Sequence, residues 1–170
     1  MSATTNLGIT RLEAGLKQPE SVVNDALTTL DAQFILPVSW TPTWTNLTVG
    51  DGTVVAKYQK ISKLVICRLS LVFGSSTSVT GTTVSFTLPV TRVAYGGSAN
   101  ITPLGNAHLF DTSGSAIFHG IVANLSTTAA VIASWKVDGT YSQAAALSST
   151  VPFTWAVGDE IGAQFQYEAA

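Results

Sequence analysis

Two hydrophobic periods divide the chain. Between Gln18 and Phe34 the apolar side chains Val23, Ala26, Leu27, Leu30 and Phe34 recur at helical spacing, while Asn24, Asp25, Thr28 and Asp31 face elsewhere. Pro19 suits a first helical position and Glu20 the positive end of the helix dipole. Pro37 ends the pattern. A helix of about four turns is marginal alone in water, so its stripe needs a surface to dock on: the rest of the chain, sister helices or another protein.

From Trp40 onward the period becomes two. Thr45 to Val49 reads as a strand, Gly50-Asp51-Gly52 as a tight turn and Thr53 to Gln59 as the strand returning beside it. Ile61-Ser62-Lys63 leads into a long strand, Leu64 to Phe73, with Val65, Cys67, Leu69, Leu71 and Phe73 on one face. Its other face carries Arg68 and Ser70 but also Leu64, Ile66 and Val72. That mixture predicts a central strand, or one covered by a neighbouring subunit. Further strands are predicted over Val84 to Leu88, Ala107 to Phe110, Ala116 to Ala123, Ala129 to Val137, Val151 to Trp155 and Glu160 to Glu168. Turns are predicted at Asp111 to Gly114 and Asn124 to Thr127. Eight or nine strands with regular turns make a mainly β fold, an antiparallel jelly-roll-like β-sandwich over residues 38–170, preceded by a short N-terminal α-helical segment over 1–37.

Composition narrows the function classes. Apolar residues make up 46% and charged residues 11%, against roughly 25% charged in ordinary soluble domains, so a packed fold with a weakly charged surface is expected. The net charge of -2 and the absence of a basic stripe argue against nucleic-acid binding. No apolar run reaches membrane-spanning length, and the first residues lack the basic and apolar regions of a secretory signal, so neither membrane insertion nor export is expected. Cys67 is the single cysteine, which excludes an intrachain disulfide and fits a small buried hydrophobe.

Catalytic patterns are sparse. His108 and His119 are the two histidines, and neither has a cysteine or second histidine at metal-ligand spacing, so no metal or cofactor is expected. Outward histidines on neighbouring strands could still meet. There is no G-x-S-x-G elbow; Gly74-Ser75-Ser76 and Ser113-Gly114-Ser115 read as turn chemistry. Most acids of the β-region sit at turns, where backbone geometry explains them. No enzyme activity is expected. The tryptophans carry more information. Trp135 and Trp155 alternate with polar residues in a way that favours core packing, whereas Trp40 and Trp44 flank Pro42 at the helix–sandwich junction and are candidate binding or interface aromatics.

Two stretches carry a resemblance. Asn6-Leu7-Gly8-Ile9, Ala14-Gly15, Gln18, Val23-Asn24-Asp25-Ala26-Leu27 and Leu30-Asp31-Ala32 resemble the N-terminal segment of phage and prophage tail-fibre-like virion proteins. Asp25 stands where glutamate is usual, and Pro19 where a polar or charged residue is usual. Trp44-Thr45, Leu47 to Thr53, Tyr58, Ile61, Lys63 to Val65 and Arg68 are similar to the opening hairpin of small β-domains in phage tail and fibre proteins. The resemblance covers less than half the chain and implies a virion protein made in the host cytoplasm, commonly a homotrimer, with its N-terminal segment near the particle.

The expected function is therefore a trimeric phage fibre or spike. Residues 1–37 would anchor and oligomerise it through Val23, Leu27, Leu30 and Phe34. The sandwich would project and bind a host surface, including its glycans. Its partners would be its own copies and other virion proteins. A capsid decoration or cement protein and a stand-alone carbohydrate-binding module are the alternatives.

Overall fold

The computed structural model describes residues 20–32, 36–94 and 102–170. Phe34 and the resembling motifs before residue 20 lie outside them. The described residues form one helix, α1 (Glu20–Ala32), and twelve strands: β1 (Val38–Ser39), β2 (Trp44–Thr45), β3 (Leu47–Thr48), β4 (Thr53–Ile61), β5 (Leu64–Val72), β6 (Ser78–Val79), β7 (Ser85–Thr87), β8 (Pro103–Asp111), β9 (Ala116–Asn124), β10 (Ala129–Asp138), β11 (Tyr141–Ala146) and β12 (Glu160–Glu168). The mainly β expectation with a short leading helix is met.

The strands hydrogen-bond in the order β1-β4-β5-β12-β8-β9-β10-β7-β2, all antiparallel, with β11 added beside the distal half of β10 and β3 paired with β6 apart. The long sheet curls on itself. Phe86 of β7 and Phe165 of β12 stand four strands apart in the order, yet their ring centroids lie 5.5 Å apart across the core. Tight curling requires a narrow inner face. The inner row running across the sheet is accordingly small at most positions: Ala56, Leu69, Ala163, Ala107, Gly120 and Ser134. Larger side chains fill the rows on either side, among them Leu71, Ile161 and Leu109 at 0% exposure. Each such side chain contributes roughly 1.5–3 kcal/mol by leaving water.

β5 is a central strand, as its two-sided apolar pattern predicts, but only its Val65–Phe73 face is covered. Leu64 and Val72 on the other face are 41% and 39% exposed. Cys67 is fully buried, and burial pushes its thiol pKa up to about 12, which leaves it unreactive. Tyr167 sits over it with its hydroxyl donating to the Val90 carbonyl at 2.8 Å.

Several sequence expectations fail for physical reasons. The segment Thr45–Val49 is broken at Asn46, whose φ is 60°, and whose side chain donates to the Thr82 and Thr83 carbonyls. The strand after Gly50-Asp51-Gly52 does not return beside it. β4 pairs with β5 through a two-residue turn at Ser62-Lys63, and β3 pairs with β6. The Asp51 turn instead docks on the Gly74–Thr77 turn. There the Asp51 carboxylate accepts bonds from the backbone N–H and hydroxyl of both Ser75 and Ser76 at 2.7–3.1 Å. These donors hold its pKa well below the ordinary 3.8. Val151–Trp155 is not a strand but a cover: Phe153 and Trp155 stack with Phe118 and Phe73 over one end of the core. Trp155 is half-buried there, its indole N–H donating to the Ser148 carbonyl at 2.9 Å. Trp135, expected in the core, is 44% exposed, because β10 runs past the sheet and forms a projecting hairpin with β11.

No described side chain of α1 belongs to the core. Thr28 and Thr29 bond their hydroxyls to the carbonyls of Asn24 and Asp25 one turn back. Of the predicted stripe, Val23 and Leu27 are half-buried and Leu30 is 46% exposed.

Candidate functional site

The face of the curled sheet turned away from the core carries a set of polar side chains. Register brings them together. Cross-strand partners share a face, so one row reads Lys57 (β4), Arg68 (β5), Gln164 (β12), Asn106 (β8). The adjacent row reads Val55, Ser70, Gly162, His108 and His119. A third row contributes Glu160, set between Val72 and Phe110. The first two rows line an open hollow of about 760 Å³.

Gly162 forms the floor of that hollow. A β-carbon there would lie 1.9 Å from the His108 ring, so the imidazole rests directly over the glycine. The two histidines are direct cross-strand partners. Both line the hollow, yet no group of three or more potential metal ligands gathers among the described residues. His108 Nε2 lies 3.7 Å from Glu160 Oε1, and the Ser70 hydroxyl donates to the same oxygen at 2.9 Å. A nucleophilic serine needs its proton directed at the histidine that will remove it. Here that proton is held by the carboxylate, so Ser70 and Glu160 form a hydrogen-bonded pair with His108 close by, without the geometry of a triad.

The charges of the first row are not balanced. Lys57 faces Arg68 directly across two strands, and like charges so placed repel. Among the described residues, the side chains of Lys57, Arg68, Gln164 and Asn106 make no hydrogen bond or ion pair.

The acids expected at turns are there for backbone reasons. Asp111 accepts from the Gly114 N–H and the Ser113 hydroxyl, which lower its pKa. Asp159, fully buried, accepts from the N–H groups of Thr112 and Ala156.

Trp40 and Trp44 are not exposed platforms. Trp40 packs edge-on to Tyr58 with centroids 6.1 Å apart, and Trp44 lies 5.4 Å from Phe86. Both are half-buried against the core. Among the described residues the exposed aromatics are Trp135 and Tyr141, the latter 81% exposed, on the β10–β11 hairpin. Lys57, Gln164 and Asn106 are functional candidates that single-strand reading missed. Alternation places Arg68, Ser70, Gly162 and Gln164 on the polar faces of their strands, but only the pairing register assembles those faces into one surface.

No known protein family, curated protein or solved structure matches the chain.

Proposed function

We propose that the chain is a non-enzymatic virion subunit of a phage fibre or spike, trimeric through its N-terminal segment, with the β-domain exposed. The observation that carries this reading is α1. Among the described residues of its apolar stripe none belongs to the core; Val23 and Leu27 are half-buried and Leu30 is 46% exposed. A helix of this length gains stability by burying such a stripe, and sister helices offer matching ones. The motifs of residues 6–32 that resemble fibre N-terminal segments support the same assignment. Architecturally, the domain is read as a jelly-roll-like sandwich in which the two ends of one curled sheet stand in for two facing sheets. The Phe86–Phe165 contact supports that reading. The outer hollow would then face a host surface.

Light scattering on the full chain tests the assembly. A mass three times that of the chain is expected, with Leu27→Asp and Leu30→Asp reducing it to the monomer while the β-sheet circular dichroism persists. A monomeric parent protein would overturn the reading. Labelling intact particles then separates a tail fibre from a capsid decoration protein.

A further inference from the structure

We infer that the outer hollow is a binding site for an anionic, hydroxyl-rich chain, in which Arg68 and Lys57 take the acidic group and Gln164 and Asn106 take hydroxyls. The inference deepens the host-surface reading above by naming the ligand chemistry and the residues.

The argument starts from the register. Lys57 and Arg68 occupy directly opposed positions, where two like charges destabilise the sheet. The described residues offer them no compensating acid: Glu160, the one carboxylate on this face near the hollow, is held by the Ser70 hydroxyl and approached by His108. A guanidinium fork beside an ammonium is the arrangement that receives a carboxylate or a phosphate, the fork in bidentate fashion. The same row continues with two primary amides, each able to donate and accept. The row spans three strand spacings, roughly 14 Å, which fits an extended oligomer rather than a lone ion. Beside it, the His108 ring lies over Gly162, and both line the hollow that the row borders. Val55, 54% exposed, borders the cationic end as an apolar wall.

Two sources share this chemistry, uronic-acid glycans and polyol phosphates. The test is calorimetric titration of the full chain with trigalacturonate, with a glycerol-phosphate trimer, and with trigalactose as the neutral control. At least one acidic trimer is expected to bind at low salt, about tenfold or more tighter than trigalactose, and its affinity should fall as sodium chloride is added. The tighter of the two acidic trimers identifies the source. Arg68→Gln and Lys57→Gln should each weaken it by about tenfold, with thermal melts confirming that both variants fold. Equal binding of the neutral trimer, unchanged binding by both variants, or no binding of any trimer would overturn the site. Light scattering keeps the two readings apart. A trimer that binds none of the ligands ends this inference alone, and a monomer that binds them ends the assembly reading alone.

Discussion

The two faces of the same five strands, β4, β5, β12, β8 and β9, have opposite characters. The inner face of β5 runs Val65, Cys67, Leu69 and Leu71, none more than 3% exposed. One residue along, the outer face presents Leu64, Ile66, Arg68, Ser70 and Val72 to the open side. Because strand side chains alternate, a single register decides both faces, and a slip of one residue would exchange them. The inner face is specified by volume: small residues where the sheet curls, large ones beside them. On the outer face Ser70 bonds Glu160, while Lys57, Arg68, Gln164 and Asn106 make no side-chain hydrogen bond or ion pair among the described residues. Burial thus explains the first, while the second is the face for which a ligand is proposed above.

The largest effect should come from breaking the inner face. Leu71→Ala leaves a cavity among Val54, Ile161 and their neighbours and is expected to cost about 2–5 kcal/mol in urea denaturation. Val72→Thr, one residue away on the outer face, should stay within about 0.5 kcal/mol. Similar losses at both positions would mean that the outer face is covered too.

The two glycines sharpen the same contrast. A β-carbon at Gly120 on the inner face would lie 2.5 Å from the Ala133 carbonyl oxygen, so Gly120→Ala has to displace the β9–β10 ladder, at a cost of about 1–3 kcal/mol. At Gly162 the obstacle is the His108 ring, a side chain that can swing aside. Gly162→Ala should therefore cost less in denaturation while shifting the His108 ring resonances by NMR. The reverse order of cost would remove the distinction between a crowded face and an open one.

Much of this was legible in the pattern of residues. Alternation over Leu64–Phe73 and Glu160–Glu168 marked both faces of two central strands, and the period change near Trp40 separated helix from sheet. What failed depended on partners distant in sequence. Ser62 makes a hairpin turn at φ 54° without glycine or asparagine, so the β4–β5 pairing carried no turn signal. The Tyr141–Ala146 strand lacks branched residues and is held by pairing with β10 alone. Val151–Trp155 reads as a strand because its apolar side chains cover an end of the core, where alternation has no meaning. The outer site needs β4, β5, β12, β8 and β9 in register, and no local period encodes the order of those strands.

At the rim the two-face rule gives way to turn chemistry. Asp51→Asn removes the charge that four donors of Ser75 and Ser76 surround, and should lower Tm by a few degrees at neutral pH. The carboxyl pKa is depressed in the folded state, so its stabilisation is complete above the unfolded value near 3.8 and is lost as pH falls through the lower folded value. The Tm gap between parent and variant should therefore be constant from neutral pH down to about 4 and close below it. A gap that persists undiminished in strong acid would assign the effect to the amide's shape rather than to charge.

The smallest effect tests the outer face itself. If Lys57 and Arg68 are there for a ligand and not for the fold, Arg68→Gln should leave stability unchanged or raise it by about 0.2–1 kcal/mol at low salt, through relief of the cross-strand repulsion. The gain should shrink as salt screens the pair. It should also vanish in a Lys57→Gln background, because the interaction it removes is already gone. A loss of stability independent of salt would show that the Arg68 stem packs on the sheet as structure. A gain that disappears with salt and with Lys57 would mark a position where the fold gives up stability to keep two cations side by side.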